Sequence, residues 1–374
     1  MNSKQGLKNI VLIVGGYGVV GSQAAQILHD RHPDLEIWLG GRNQNHPLPF
    51  ESNRVRIVSV NNTAADPLAE LDHNPTLIIN SVNDPDDRLL LSAMKRKIPL
   101  VDITRWTERF QQSIQRLQAL ELQSPVVLAS GWMGGTASLL ATVFSNSLRE
   151  VTVNIHALYS LKDKAGPDST AYMDRLSIPF EIINNQAKQI VYPMTDPVRV
   201  RFANEYETKC YRLDTPDHMT LPSSTHVTSA SFRIAFDSKV STYGLVSLVK
   251  TGIWKRISED RFRGLRKGIL YNPGSGSAHH LVIQIKGYNE SGILEERSIS
   301  ITDPSGQTHL TALGAVIQAE NLLRAQADRG WNSGVYFPEN ALTTGMSEAD
   351  VLDFYREHGV EIVNRSAGVH ERYA

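Results

Sequence analysis

The 374 residues predict an α/β protein with two sheets, the first doubly wound and parallel, the second largely antiparallel within an α+β domain. Three observations carry this. Short apolar runs alternate with helical patterns up to about residue 145, the grammar of a parallel sheet covered by helices. From Val151 onward the period becomes two, as in strands with one wet face. Between the first apolar run and the first helix lies a glycine-rich turn, Gly15-Gly16-Tyr17-Gly18-Val19-Val20-Gly21.

Ile10-Val11-Leu12-Ile13-Val14 forms the first strand and opens directly into that turn. Gly16 suits the tight turn, Gly18 lets the main chain approach a pyrophosphate, and Gly21 lets the helix pack closely on the strand. The amides of Tyr17, Val19 and Val20 stand at a helix start, where unpaired donors face an anion. Val20, Ala24, Ile27 and Leu28 make one helical face, Pro33 closes the helix, and Leu35 to Leu39 reads as the second strand. This is a Rossmann-type βαβ unit, and its ligand is a dinucleotide. The chain continues Gly40-Gly41-Arg42-Asn43. An NAD site usually places a carboxylate there for the ribose 2′-hydroxyl, whereas a guanidinium grips a 2′-phosphate through paired hydrogen bonds. Gly41 and Arg42 therefore point to NADP(H).

Val55 to Val60, Thr76 to Asn80, Pro99 to Asp102 and Val126 to Ala129 read as the third to sixth strands. After the fourth, Asp84 can cap a helix and Pro85 suits its first turn. Asp86 and Asp87 face the positive dipole end, and Lys95, Arg96 and Lys97 the negative one. Ligands of open parallel sheets bind beyond the carboxyl ends of the strands. That rule selects Asn80-Ser81-Val82-Asn83, Asp102-Ile103-Thr104-Arg105 and Ser130-Gly131-Trp132-Met133-Gly134-Gly135. Asp102 could orient water or an amine beside the cofactor, or cap the next helix. Trp132 and Met133 could wall a nicotinamide pocket or be plain core.

In the second half, Val151 to Tyr159, Ala230 to Phe236 and Leu281 to Ile285 alternate in polarity, the last turning at Gly287–Gly292 into a hairpin through Ile299 and Ile301. His156 falls on the polar face of its strand, which suits a proton relay or a satisfied structural histidine. Arg105, Lys162, Arg175, Arg199 and Arg201 could clamp the carboxylate of an amino-acid substrate, Arg199 and Arg201 from one polar strand face. Helices resume at Leu310–Arg324 and Ser347–His358, the latter with Ser347 and Asp350 as a capping box and Gly359 as its stop. Residues 1–148 are expected to form the nucleotide domain and 149–330 the second, with 331–374 packing back on the first.

The succession GGYGVVG, LGGRN, INSVNDPDD, IPLVDIT and VVLASGWMGGTASLLAT resembles the saccharopine dehydrogenase-like oxidoreductases, most clearly over residues 9–145 and more loosely as far as Gly334–Glu339. The resemblance implies an NADP(H)-binding first domain. It assigns Gly16, Gly18 and Gly21 to the phosphate turn and Arg42 to the 2′-phosphate. Asn80–Asn83 become the loop beside ribose and nicotinamide, and Asp102 the acidic residue after the fifth strand. Asn61 and Asn62 stand where many relatives carry an acidic residue, and Gly134-Gly135 where Pro-Gly is common. Members of the family reduce or re-form carbon–nitrogen bonds in amino-acid adducts, and some relatives act on carbonyl or lipid substrates. Three readings follow. The first is an NADP(H)-dependent oxidoreductase acting on a C=N or C=O bond of a small amino-acid-derived molecule between the domains. The others are a non-catalytic NADP(H)-binding redox sensor or partner protein, and a lipid-directed reductase.

Composition narrows the classes further. A net charge of −1 and a pI near 6.9 give no nucleic-acid footprint. The single cysteine, Cys210, excludes an internal disulfide and a thiolate metal cluster, and suits a reducing cytoplasm. No apolar run has the length of a membrane span. His279 and His280 point to opposite sides of a strand and cannot share a metal, and no GxSxG supports covalent hydrolysis. Val246, Val249 and Ile253 lie at helical spacing within Ser241–Lys255, beside Trp254, and are expected to pack between domains or across a homodimer.

Overall fold

The structure is a computed structural model that describes residues 9–103, 106–164, 172, 174–262, 264, 276–328, 332–365 and 371–373. Strand β1 (Ile10–Val14) is wholly apolar and wholly buried, as a central parallel strand covered on both faces must be. It pairs with β2 (Glu36–Gly41) on one side and β4 (Leu77–Asn80) on the other. β3 (Val55–Ser59) follows β2, while β5 (Leu100–Asp102), β6 (Pro125–Val127) and β15 (Gly334–Tyr336) follow β4. Every pairing is parallel. Strand order thus reverses between β1 and β4, which opens a crevice at their carboxyl ends.

Helix α1 (Val19–Arg31) turns Ala24 and Leu28 into the core. Helix α2 (Arg88–Lys95) begins later than its sequence suggests, because Pro85, Asp86 and Asp87 form a turn ahead of it. Asp84 still caps it, its two carboxylate oxygens accepting from the amides of Arg88 at 3.0 Å and Leu90 at 3.1 Å. Asp87 does not serve the dipole from solvent. It has φ +57°, is fully buried, and accepts from Arg109 at 3.1 Å and Arg116 at 2.6 Å on α3 (Thr107–Gln118).

The second sheet contains β7 (Arg149–Tyr159), β8 (Phe180–Asn184), β9 (Ala187–Val191), β10 (Val198–Arg201), β11 (Glu207–Arg212), β12 (Val227–Phe236), β13 (His279–Tyr288), β14 (Leu294–Asp303), β16 (Glu361–Asn364) and β17 (Glu371–Tyr373). Its order is β10-β11-β12-β7-β13-β14-β16-β17, with the β8–β9 hairpin attached to β12. The sheet is mixed, mostly antiparallel. β7 and β12 run parallel, Ile155 opposite Phe232 and Tyr159 opposite Phe236; such a pair needs a long crossover, here residues 160–226, which carry helix α5 (Asp217–Ser224). The face bearing Val153, Ile155 and Ala157 joins one apolar cluster with α4 (Ala137–Ser145), every residue of which is buried.

Two elements tie this sheet to the first. Helix α8 (Gln307–Asp328) lies along α1, where Gln23 Nε2 donates to Thr308 Oγ1 at 3.0 Å and Arg31 Nε donates to Glu320 at 2.7 Å. Strand β15 adds to the far edge of the first sheet, whereas β16, after helix α9 (Glu348–Glu357), adds to the second. The Ser241–Lys255 segment spans helices α6 (Lys239–Lys250) and α7 (Ile253–Ile257). Leu245, Val246 and Trp254 are buried against the core, while Val240, Tyr243 and Ile253 are exposed. Among the described residues no helix is long and apolar enough to cross a membrane.

Candidate active site

The carboxyl ends of β1, β2 and β4 and the apolar face of β7 and β12 enclose a cleft of about 820 Å³. One wall is the glycine turn. The positive φ that the turn requires, +81°, falls on Gly15 and not on Gly16. Gly16 is needed for a different reason, since a Cβ there would stand 2.7 Å from the Ile13 carbonyl and 2.8 Å from the Leu39 side chain. A Cβ on Gly21 would strike the Gly15 carbonyl, so the turn and α1 can close on each other only around glycine. Tyr17, Gly18, Val19, Val20 and Gly21 all line the cleft. The first turn of α1 carries no acidic side chain, which leaves its amides and dipole open to phosphate.

At the end of β2, Tyr17 lies flat against His46, ring centroids 4.3 Å apart. Its hydroxyl accepts from the Asn43 amide at 3.2 Å and covers Gly41, where a Cβ would meet it. Arg42 is exposed on the cleft rim, with no hydrogen bond or ion pair among the described residues. No carboxylate stands in Gly40-Gly41-Arg42-Asn43. This end of the cleft therefore presents a cation to an anionic group. The donor set fits a dinucleotide cofactor, and the pocket is not filled by side chains of the protein.

The loop after β4 supplies the opposite lip through Ser81, Val82 and Asn83. Asn80 and Asp102 do not line the cleft. Both are buried; Asn80 Nδ2 donates to Asp102 Oδ2 at 2.9 Å and Asn80 Oδ1 accepts from the Val82 amide at 3.3 Å. The structure places this pair behind the loop, where it shapes residues 81–83. Asn62, past the end of β3, lines the cleft and donates its Nδ2 to the Asn83 carbonyl.

The other expected side chains divide sharply. Trp132 and Met133 line the cleft from a loop bent at Gly134, φ +76°. Trp132 packs against Phe232 at 5.8 Å and edge-on to His279 at 4.4 Å. His156 is brought nowhere near them. It is fully buried on the opposite face of β7, its Nε2 donating to Gln284 Oε1 at 3.1 Å. Burial, reinforced by the Arg233 charge, pulls its pKa to about 4, so the ring is neutral. Arg175 stacks its guanidinium over Trp106 at 4.9 Å and pairs with Glu108 at 2.9 Å and Asp214 at 3.6 Å. Arg199 and Arg201 sit exposed on β10, paired with Glu207 at 3.1 Å and Glu205 at 3.5 Å. Neither these three arginines nor Lys162 lines the cleft, and Arg105 lies outside the described residues.

The far wall comes from the second domain and was not singled out in the sequence: Tyr159, Leu213, Ile234 and Phe236, with Gln307 and Thr311 from the start of α8. Tyr159 and Phe236 end two period-two runs on one face, and that shared parity is the signal that could have found them. Gln307 Nε2 donates to the Tyr159 hydroxyl at 3.1 Å. Burial pushes the pKa of Tyr159 up, so the phenol keeps its proton at neutral pH. Arg42 is the one charged side chain among the described residues of the lining.

No family model and no curated protein matches the chain. Among solved structures the fold is similar to that of apo saccharopine dehydrogenase (L-Glu forming) from Saccharomyces cerevisiae. The TM-score is 0.63 at 10% identity, over 96% of this chain and 100% of that one. A weaker likeness, TM-score 0.47 at 11% identity over 94% and 100%, links it to a substituted meso-DAPDH from Clostridium tetani. At these identities the likeness is one of fold: a Rossmann-type parallel sheet joined to a mixed, mostly antiparallel one.

Proposed function

We propose that the protein is an NADP(H)-dependent oxidoreductase that reduces or oxidises a C=O or C=N bond of a small molecule in the cleft between its two sheets. The observation that carries this is the rim at the end of β2, where an unpaired Arg42 and the absence of a carboxylate select a 2′-phosphate. The glycine turn, the open start of α1 and the fold likeness support the wider class. When bound, the cofactor supplies or accepts the hydride. The chain supplies the rest. Residues 15–21 hold phosphate, Arg42 the 2′-phosphate, and Ser81–Asn83 the opposite lip, while Trp132 and Met133 keep water from the reacting end.

A hydroxyl held inside the cleft, that of Tyr159 oriented by Gln307, favours catalysis over a purely sensory role, because a sensor needs no proton donor there. An amino-acid substrate has less support, since three of the arginines that could clamp its carboxylate, Arg175, Arg199 and Arg201, are engaged elsewhere. Cys210 is buried and its thiol pushed up to about 12 by desolvation, so it offers no thiolate nucleophile. The test is oxidation of NADPH by the purified protein against a panel of carbonyl compounds and of keto acids mixed with amines. Turnover with any member is the expected result; tight NADPH binding with no turnover across the panel would contradict the assignment.

A further inference from the structure

Resting on that oxidoreductase reading, we propose that the substrate end of the cleft takes an uncharged, largely apolar carbonyl compound whose oxygen is received by the Tyr159 hydroxyl. The walls of this end are Trp132, Met133, Leu213, Ile234 and Phe236. Its charge is nil among the described lining residues, because Arg42 stands at the opposite, adenosine end. A carboxylate entering here would shed its hydration and meet no cation among the described lining residues. Arg175 is held by Glu108, Asp214 and the Trp106 ring.

An iminium ion fares no better. The acidic groups that neighbour the lining in the chain face other partners: Asp102 accepts from Asn80, Asp163 from the amides of Lys164 at 2.7 Å and Gln307 at 2.8 Å, Asp214 from the Thr107 amide at 3.2 Å beside Arg175, and Asp237 from the Ser160 hydroxyl at 2.6 Å. None of the four lines the cleft. Both charged substrate classes are disfavoured by the same desolvation, and the neutral carbonyl remains.

A neutral carbonyl needs one donor, and the chamber holds one in position. Tyr159 uses a lone pair to accept from Gln307 Nε2, and its own hydrogen has no acceptor among the described residues. The second Gln307 amide hydrogen goes to the Lys164 carbonyl at 2.8 Å, which fixes the amide and so the side of the phenol it occupies. The Tyr159 ring stands nearly perpendicular to Phe236, centroids 5.7 Å apart, and burial keeps the phenol protonated. In the reducing direction the reaction consumes the carbonyl compound, the reduced cofactor and one proton, and yields the alcohol and the oxidised cofactor. The proton leaves Tyr159 for the former carbonyl oxygen and is replaced from water.

Calorimetric titration with acetophenone, ethylbenzene and phenylpyruvate tests this, on the protein alone and saturated with NADPH. Acetophenone is expected to bind at least about tenfold more tightly than phenylpyruvate. Tyr159→Phe should weaken acetophenone about three- to tenfold and leave ethylbenzene unchanged. Met133→Lys, which places an ammonium in the chamber, should raise the affinity for phenylpyruvate. Equal or tighter binding of phenylpyruvate by the unsubstituted protein overturns the proposal, as does failure of all three probes to bind. So does an equal effect of Tyr159→Phe on acetophenone and ethylbenzene. Loss of NADPH binding with the acetophenone preference intact would instead sink the cofactor assignment and leave the apolar chamber standing.

Discussion

Asn80 and Asp102 show how a single polar pair builds a site without touching its contents. Paired in register across β4 and β5, they exchange a hydrogen bond in the dry end of the sheet, and Asn80 also holds the Val82 amide. Removing one partner leaves the other buried and under-bonded. Asn80→Ala should cost about 1–3 kcal/mol in denaturant unfolding, with a several-fold loss of NADPH affinity as residues 81–83 loosen; unchanged values for both would refute the positioning role. Glu339 illustrates the cost of burying a carboxyl. Desolvation pushes its pKa up to about 8, the Thr220 hydroxyl pulling it down and the Asp217 charge adding to the rise. Between its ordinary value of 4.5 and about 8, the unfolded chain has released this proton and the folded chain has kept it. Stability should therefore fall as pH rises through that window. Glu339→Gln removes the titration, so its unfolding midpoint should vary less with pH than that of the parent; parallel curves would contradict this. What the sequence revealed at this scale was position, not orientation. Asp102 was legible as a polar group at a strand end and His156 as one on the polar face of its strand, but the parity that turns His156 away from the cleft depends on which face of β7 meets α4.

At the scale of elements, Asp87 binds the start of α2 to α3 through two guanidinium groups. Asp87→Asn, which tolerates the same positive φ, breaks both charge pairs and should destabilise by about 3 kcal/mol; a loss below about 1 kcal/mol would show the pairs to be energetically idle. The capping box of α9, with the Ser347 hydroxyl accepting from the Asp350 amide at 3.1 Å and Asp350 accepting in return at 2.9 Å, is local and was legible in sequence. Ser347→Ala should cost about 1 kcal/mol in the same assay. Legibility elsewhere follows burial. The continuous apolar runs of β1, β2 and β4 announce themselves, because a parallel core strand is buried on both faces. The β8–β9 hairpin does not, since four of the five residues of β9 are exposed and carry no periodic signal. Nor does β15, three half-buried residues at a sheet edge.

Across the whole molecule the two sheets meet around the cleft, and its two ends differ in how far sequence could describe them. The cofactor end is local: one turn, one strand end and one loop supply it, at spacings set by the βαβ unit itself. The substrate end is not. Tyr159, Leu213, Phe236 and Gln307 are separated by tens of residues, and only the parallel pairing of β7 with β12 and the return of α8 onto α1 bring them together. Because the cofactor would contact elements from both sheets, its binding should stabilise the fold as a unit. NADPH at about one hundred times its dissociation constant should add about 2.7 kcal/mol to unfolding.

The most direct test of the central claim is a paired titration of the unsubstituted protein and Arg42→Ala with NADPH and with NADH. The unsubstituted protein should prefer NADPH, and Arg42→Ala should lose about tenfold or more in NADPH affinity while its NADH affinity stays unchanged. An equal loss for both dinucleotides, or no binding of either by the unsubstituted protein, would contradict it.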